Sequence, residues 1–157
     1  YPWTPAKELE SPEYPLSLST VREVGHYSVR TMTGNCLLLA DLADEPGYIQ
    51  MNPEDCRELG IANGDLVRVV SKRGHTITRC QETDRVSKGA TYMTYQWWIG
   101  ACNELTSAAL DPKSHTPEFK YCACRVEKID DQKQAEHDVK AQYAAIRSRM
   151  GIEVKEV

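Results

Sequence analysis

The chain has 157 residues, with 19 Lys and Arg against 23 Asp and Glu, a formal net charge of -4 and 41% apolar residues. That length suits one domain with a real core and excludes two full catalytic domains, and the acidic balance excludes a general nucleic-acid binder, which carries a basic excess. A mean hydropathy of -0.54, with no run near the roughly 18 apolar residues that a bilayer-spanning helix needs, excludes a membrane span.

The chain starts Tyr1-Pro2-Trp3 without an initiator Met or a charged-then-apolar leader, which leads us to expect a piece of a longer polypeptide. Residues 1–13 include Pro2, Pro5 and Pro12 and show no sustained periodicity, the pattern of a linker from upstream domains. A folded unit is predicted over 14–128. Leu16 to Thr20 alternates apolar and small polar residues as a half-buried strand does. It runs into a corner rich in special residue types, Arg22-Glu23-Val24-Gly25-His26-Tyr27-Ser28.

Tyr48 to Asn52 predicts a short strand, and Asn52 before Pro53, Glu54 and Asp55 supplies an N-cap, a proline at the first helical position and acids in the first turn. Gly60 ends that helix as a left-handed cap. Asn63-Gly64-Asp65 is a turn into the strand Leu66–Val70, and Lys72-Arg73-Gly74 connects it to His75–Cys80 as a hairpin. Lys88-Gly89 turns the chain into Ala90–Thr94, and Cys122–Glu127 reads as a late strand. After Asp130 and Asp131, apolar Ala135, Val139, Tyr143, Ile146 and Met150 recur at helical spacing, so 129–157 is expected to be a helix and tail. Short strands with helices at their corners are the pattern of a small barrel.

Of the six cysteines, only Cys122 and Cys124 are close in sequence, and no Cys-x-x-Cys is present. Reduced thiols acting as small apolar groups are expected, with no metal site of their own. His75, His115 and His137 fall on apparent turns or an exposed helix face and are read as surface residues.

Three clusters are richer in polar and aromatic groups than packing requires. The first is Thr20, Arg22, Glu23, Gly25, His26, Tyr27, Ser28 and Arg30, where a glycine beside hydroxyls and a guanidinium can cradle a phosphate or a flat polar heterocycle. The same residues also suit an ordinary solvated turn. The second is Tyr95-Gln96-Trp97-Trp98 through Asn103; the tryptophans suit core or stacking, and Tyr95, Gln96 and Asn103 have polar ends that need partners. The third is the aromatic and basic step Phe119-Lys120-Tyr121. No nucleophile elbow, Walker loop or Rossmann fingerprint occurs, and no catalytic residue is assigned.

The runs Leu18 to Ser28, Asn52 to Val67 and Tyr92 to Leu105, extended by Glu118 to Cys122, resemble the C-terminal domain of molybdopterin oxidoreductases. The first and third resemble the formate dehydrogenases within that superfamily. The resemblance implies a mainly β fold with short helices, a double-psi β-barrel of the formate dehydrogenase and aspartate decarboxylase type, followed by the C-terminal helix. It implies binding of molybdopterin guanine dinucleotide, which in the family is a bis form holding molybdenum or tungsten. Carried over by position, Thr20, Arg22, Glu23, His26, Ser28, Tyr95, Gln96, Asn103, Phe119 and Lys120 are the expected cofactor contacts; the family often has tyrosine where Phe119 stands.

In the family, the cysteine or selenocysteine metal ligand, its neighbouring histidine, the formate-orienting arginine and the iron–sulfur cluster lie in upstream domains. The piece is therefore expected to hold cofactor without itself converting formate to carbon dioxide. Its expected partners are those upstream domains and electron-transfer or hydrogenase subunits, in the cytoplasm. The alternatives are a domain of a nitrate reductase or formylmethanofuran dehydrogenase, or a non-redox binding module.

Overall fold

The computed structural model describes residues 4–40, 42 and 45–151; the first three linker residues and the tail 152–157 lie outside them. Six strands, β1 (Leu16–Val21), β2 (Tyr48–Met51), β3 (Leu66–Ser71), β4 (Gly74–Glu82), β5 (Ala90–Thr94) and β6 (Cys122–Lys128), close into a barrel in the order β1-β5-β2-β4-β3-β6. β1 with β5 and β2 with β4 run parallel, and the other four pairings are antiparallel. This mixed pairing, in which the connections cross one another, is the double-psi barrel that the resemblance implies.

Alternation along the strands fills the barrel. Leu16, Leu18, Ile49, Met51, Val67, Val69, Met93, Cys122, Cys124 and Val126 form one buried cluster, with Cys56, Ile61, Cys102 and Leu105 closing it from connecting segments. All six cysteines are free, and every one except Cys36 is buried. Burial pushes the Cys122 thiol up to about 11 and the Cys124 thiol up to about 12. Thiols so far from ionisation pack as apolar groups and are poor nucleophiles or metal ligands.

Two helices follow their sequence signals closely. Helix α1 (Leu37–Ala40), which no periodicity announced, follows a 3-10 turn at Thr33–Asn35; helix α2 (Pro53–Leu59) and helix α3 (Gln132–Arg149) are the expected ones. Asn52 caps α2 by accepting from the Glu54 N–H at 2.9 Å, and Gly60 closes it at φ +65°. α3 packs Ala135 and Val139 with Leu66 and Ile99 on the outside of the barrel, flanked by Tyr143 and Ile146. Met150, the last residue of the expected stripe, is 51% exposed and follows the end of α3 at Arg149 as its C-cap. His75, expected on a turn, opens β4 as an exposed strand residue.

Residues 4–13, read as linker, lie against the barrel. Glu8 accepts two hydrogen bonds from Arg73, at 2.7 and 2.8 Å, and one from the Ala123 N–H at 2.9 Å, while the Tyr121 hydroxyl donates to Glu10 at 2.5 Å.

Candidate functional site

The barrel topology brings the three clusters to one end. β1 and β5 are parallel and paired as far as Val21 with Thr94, so the corner after β1 and the Tyr95–Ile99 segment after β5 leave the barrel together. β6 is antiparallel to β1, with Cys122 opposite Leu18; the residues entering β6, Phe119 to Tyr121, reach the same rim. Segments separated by some seventy to a hundred positions thus become neighbours.

Hydrogen bonds join them. Arg22 Nε donates to the Tyr95 hydroxyl at 3.1 Å. Lys120 Nζ donates to the Thr20 carbonyl at 2.5 Å and to its hydroxyl at 3.2 Å. Gln96, 1% exposed, accepts from the Glu23 N–H at 2.5 Å and donates to the carbonyls of Glu23 and His26 at 3.1 and 2.7 Å. Its amide is wholly engaged by the corner's backbone, so Gln96 shapes the corner from beneath. Asn103 is exposed in a 3-10 turn, and the Lys120 ammonium is near enough to the adjacent Cys102 to oppose the rise in its pKa.

The corner itself is held in an unusual shape. Ser28 and Arg30 adopt φ +50° and +64°, a region that residues with a β-carbon seldom occupy. His26 is buried with its ring edge-on to Trp97 at 5.8 Å and Nδ1 3.0 Å from the Thr33 hydroxyl. Burial, and secondly the Arg30 cation, hold its pKa below the usual imidazole value. The imidazole is therefore a neutral hydrogen-bonding group, while Arg22, Val24, Gly25, Tyr27 and Ser28 stand exposed around it. A β-carbon on Gly25 would meet nothing within 4 Å.

Reasoning from sequence placed Arg30 in the first cluster but missed its surroundings. Arg30 is fully buried, ion-paired with Glu45, and lies over both Trp97 and Trp98, 4.8 and 4.9 Å from their ring centroids. Glu45 carried no sequence signal, since its partners are about fifteen and fifty positions away.

A cavity of about 250 Å³ opens beside the corner, lined by Glu23, Tyr48, Asn63, Gly64, Arg79 and Trp97 among others. Of the expected contacts it includes only Glu23; Arg22, Ser28, Asn103, Phe119 and Lys120 are exposed on the surface, the form suited to a large ligand laid across the rim. The donor set fits such a ligand if it carries phosphates and a polar heterocycle: two cations, Arg22 and Lys120, lie at the end of β1 with the Tyr95 hydroxyl, and Ser28 and Asn103 are exposed polar residues of the segments that leave this rim. Among the described residues no group of three or more His, Cys, Asp or Glu is placed to hold a metal ion.

Fold and candidate site together describe a closed β-barrel with cationic, hydroxyl and aromatic side chains gathered at one rim. Residues 16–123 match the model of the family described as Molydopterin dinucleotide binding domain, and the chain belongs to that family. It is 57% identical over 148 residues to formate dehydrogenase H of Escherichia coli K12, covering 94% of this chain and 21% of that protein. It is 45% identical over 124 residues to the alpha subunit of F420-dependent formate dehydrogenase 2 of Methanococcus maripaludis, covering 79% of this chain and 18% of the relative. The chain thus spans about a fifth of the length of these relatives. The fold matches that of acetylene hydratase from Pelobacter acetylenicus at a TM-score of 0.66 and 18% identity, over 80% of this chain and 21% of the other.

Proposed function

We propose that this chain is the C-terminal domain of a formate dehydrogenase-type molybdopterin oxidoreductase and that its barrel rim holds molybdopterin guanine dinucleotide. The observation that carries the reading is the convergence of Arg22, Tyr95 and Lys120 at the end of β1. Arg22 is oriented through Nε, which leaves its terminal N–H groups to meet phosphate oxygens, and Lys120 adds a second positive charge. Ser28, Tyr95, Asn103 and Phe119 complete the contact surface; Thr20, Glu23, His26 and Gln96 hold its shape. When bound in its bis form, the molybdenum or tungsten cofactor would supply two-electron redox chemistry between formate and carbon dioxide, with electrons passing to an iron–sulfur cluster elsewhere in the polypeptide.

The metal ligands and substrate-orienting residues belong, on this reading, to upstream domains of the same polypeptide. Val24, Tyr27, Val29, Met32, Leu38 and Leu42 are exposed apolar residues clustered in one stretch of chain, and we assign them to packing against those domains. Electron-transfer or hydrogenase subunits and a cytoplasmic location complete the proposal. No helix of the described residues is long and apolar enough to cross a membrane.

The test uses the full-length polypeptide. Arg22→Ala and Lys120→Ala should each reduce retained dinucleotide, measured as GMP released on acid hydrolysis, by about tenfold or more, the scale of losing a charge-assisted hydrogen bond. Retention at the level of the unsubstituted protein in both variants overturns the assignment. A reading frame upstream that encodes a Cys-x-x-Cys cluster motif and a cysteine or selenocysteine beside histidine supports the formate dehydrogenase reading; an initiator codon directly before Tyr1 refutes it.

A further inference from the structure

The Arg30 cluster ties the corner and the Trp97–Trp98 step, already joined to each other at the proposed site, to α3, which that site does not touch. The Arg30 guanidinium lies over both the Trp97 and the Trp98 ring and pairs with Glu45, whose side chain is 5% exposed. Glu45 in turn accepts from the backbone N–H groups of Trp98 and Ile99, at 3.4 and 3.0 Å. Arg30 Nη2 also reaches the Tyr143 hydroxyl on α3 at 3.5 Å, and that hydroxyl accepts from Arg147 at 3.2 Å. Trp98 leans on Tyr143 with ring centroids 6.0 Å apart and donates from its indole N–H to the Val29 carbonyl at 3.3 Å. Behind the corner, the Gly34 N–H donates to the Arg30 carbonyl at 2.8 Å.

Stability alone is a poor reason for this arrangement. A buried ion pair is commonly matched or bettered by apolar side chains of similar volume, because desolvating both charges offsets their attraction. Here Arg30 Nε remains buried without a hydrogen-bond partner, and both Ser28 and Arg30 occupy left-handed backbone. What an apolar replacement cannot supply is direction: a planar cation that fixes two indoles, a carboxylate and a phenol at once.

We propose, on the basis of the cofactor-binding reading above, that Arg30 is a positioning residue for the dinucleotide. Through one buried cation it locks the 22–30 corner to the Trp97–Trp98 step and to α3, so that Arg22 and the backbone around His26 are held ready for the ligand. Tyr143 on α3 thereby becomes a determinant of cofactor retention.

The experiment follows dinucleotide release from the cofactor-loaded, full-length protein well below its melting temperature, together with hydrogen exchange over residues 22–30 and the melting temperature itself. Tyr143→Phe should speed release several-fold and raise exchange over 22–30 with little change in Tm. Arg30→Met should speed release tenfold or more, and Arg30→Lys should not rescue it, since an ammonium cannot stack and fork as a guanidinium does. The double variant Arg30→Met/Glu45→Met should recover Tm but not slow release.

A merely structural role predicts instead that release tracks Tm and that the double variant restores both, which overturns the inference. Should Arg30→Met fail to fold, Tyr143→Phe decides alone. Arg22→Ala separates the two failures. If it speeds release while the Arg30 and Tyr143 variants do not, only this inference falls; if it too releases at the unsubstituted rate, the cofactor site falls with it.

Discussion

At the residue scale, Trp97 shows how one side chain fixes a stretch of backbone. Its indole N–H donates to the Thr94 hydroxyl at 2.7 Å, and that hydroxyl bonds both the N–H and the carbonyl of Tyr48 at 3.1 Å. The ring lies flat against Gly47, where an added β-carbon would sit 1.9 Å from Nε1 and the backbone is at φ +75°. Gly47→Ala therefore combines overpacking with a disfavoured conformation, and should cost about 2–4 kcal/mol in urea unfolding. A loss under about 0.5 kcal/mol would mean that the indole can move aside. The paired tryptophans were visible in the sequence as groups too costly to leave exposed. Gly47 as the contact of Trp97 was not, because about fifty positions of chain separate them and nothing local marks a glycine that supports a ring.

Among the elements, α2 was legible in full because every signal for it is local. Proline sits at its first position, Asn52 caps it, Glu54 and Asp55 favour its positive end, and Gly60 stops it. Asn52 does a second task that the sequence did not disclose: its Nδ2 donates to the Val86 carbonyl at 2.8 Å, joining the helix to the loop before β5. Asn52→Ala removes both bonds and should destabilise the fold by about 1–2 kcal/mol, toward the upper end for a cap. A denaturation midpoint matching that of a substitution affecting the cap alone would show the Val86 bond to be energetically silent. By contrast, the Thr33–Asn35 turn and α1 were illegible. Segments of three and four residues are too short for a period to show, and their form depends on Gly34 lying against Arg30 and Trp98.

For the whole molecule, the N-terminal segment matters more than its proline-rich composition suggests. Glu8, held by Arg73 and the Ala123 N–H, closes that segment over the strand that leads from Lys120. The Arg73 guanidinium, more than any other group, holds its carboxyl below the usual value of 4.5. In the window between the two pKa values the unfolded chain binds more protons than the folded one, so the stabilisation is complete above about pH 4.5 and fades as pH falls through the lower, folded value. Glu8→Gln should cost about 1.5–3 kcal/mol at pH 7, the worth of a hydrogen bond to a charged group. In urea unfolding the gap from the unsubstituted protein should narrow as pH falls from 4.5 through the lower, folded value and close beneath it; a gap that persists at the acid end would mean that the amide disrupts packing rather than charge. The sequence showed acids in this segment but not their partner, since Arg73 lies on a hairpin sixty-five positions away.

The sequence by itself determined the local grammar of this protein: where strands alternate, where α2 and α3 begin, and that three stretches carry more polar and aromatic chemistry than a core needs. It also carried the family resemblance, because the motifs stand in contiguous runs. Only the tertiary structure decided that the three stretches meet at one rim of the barrel. That follows from the parallel pairing of β1 with β5 and the antiparallel pairing of β1 with β6, a matter of register between distant strands that no local pattern encodes. The same limit hid the pairing of Arg30 with Glu45, since a buried charge is recognised only by what surrounds it.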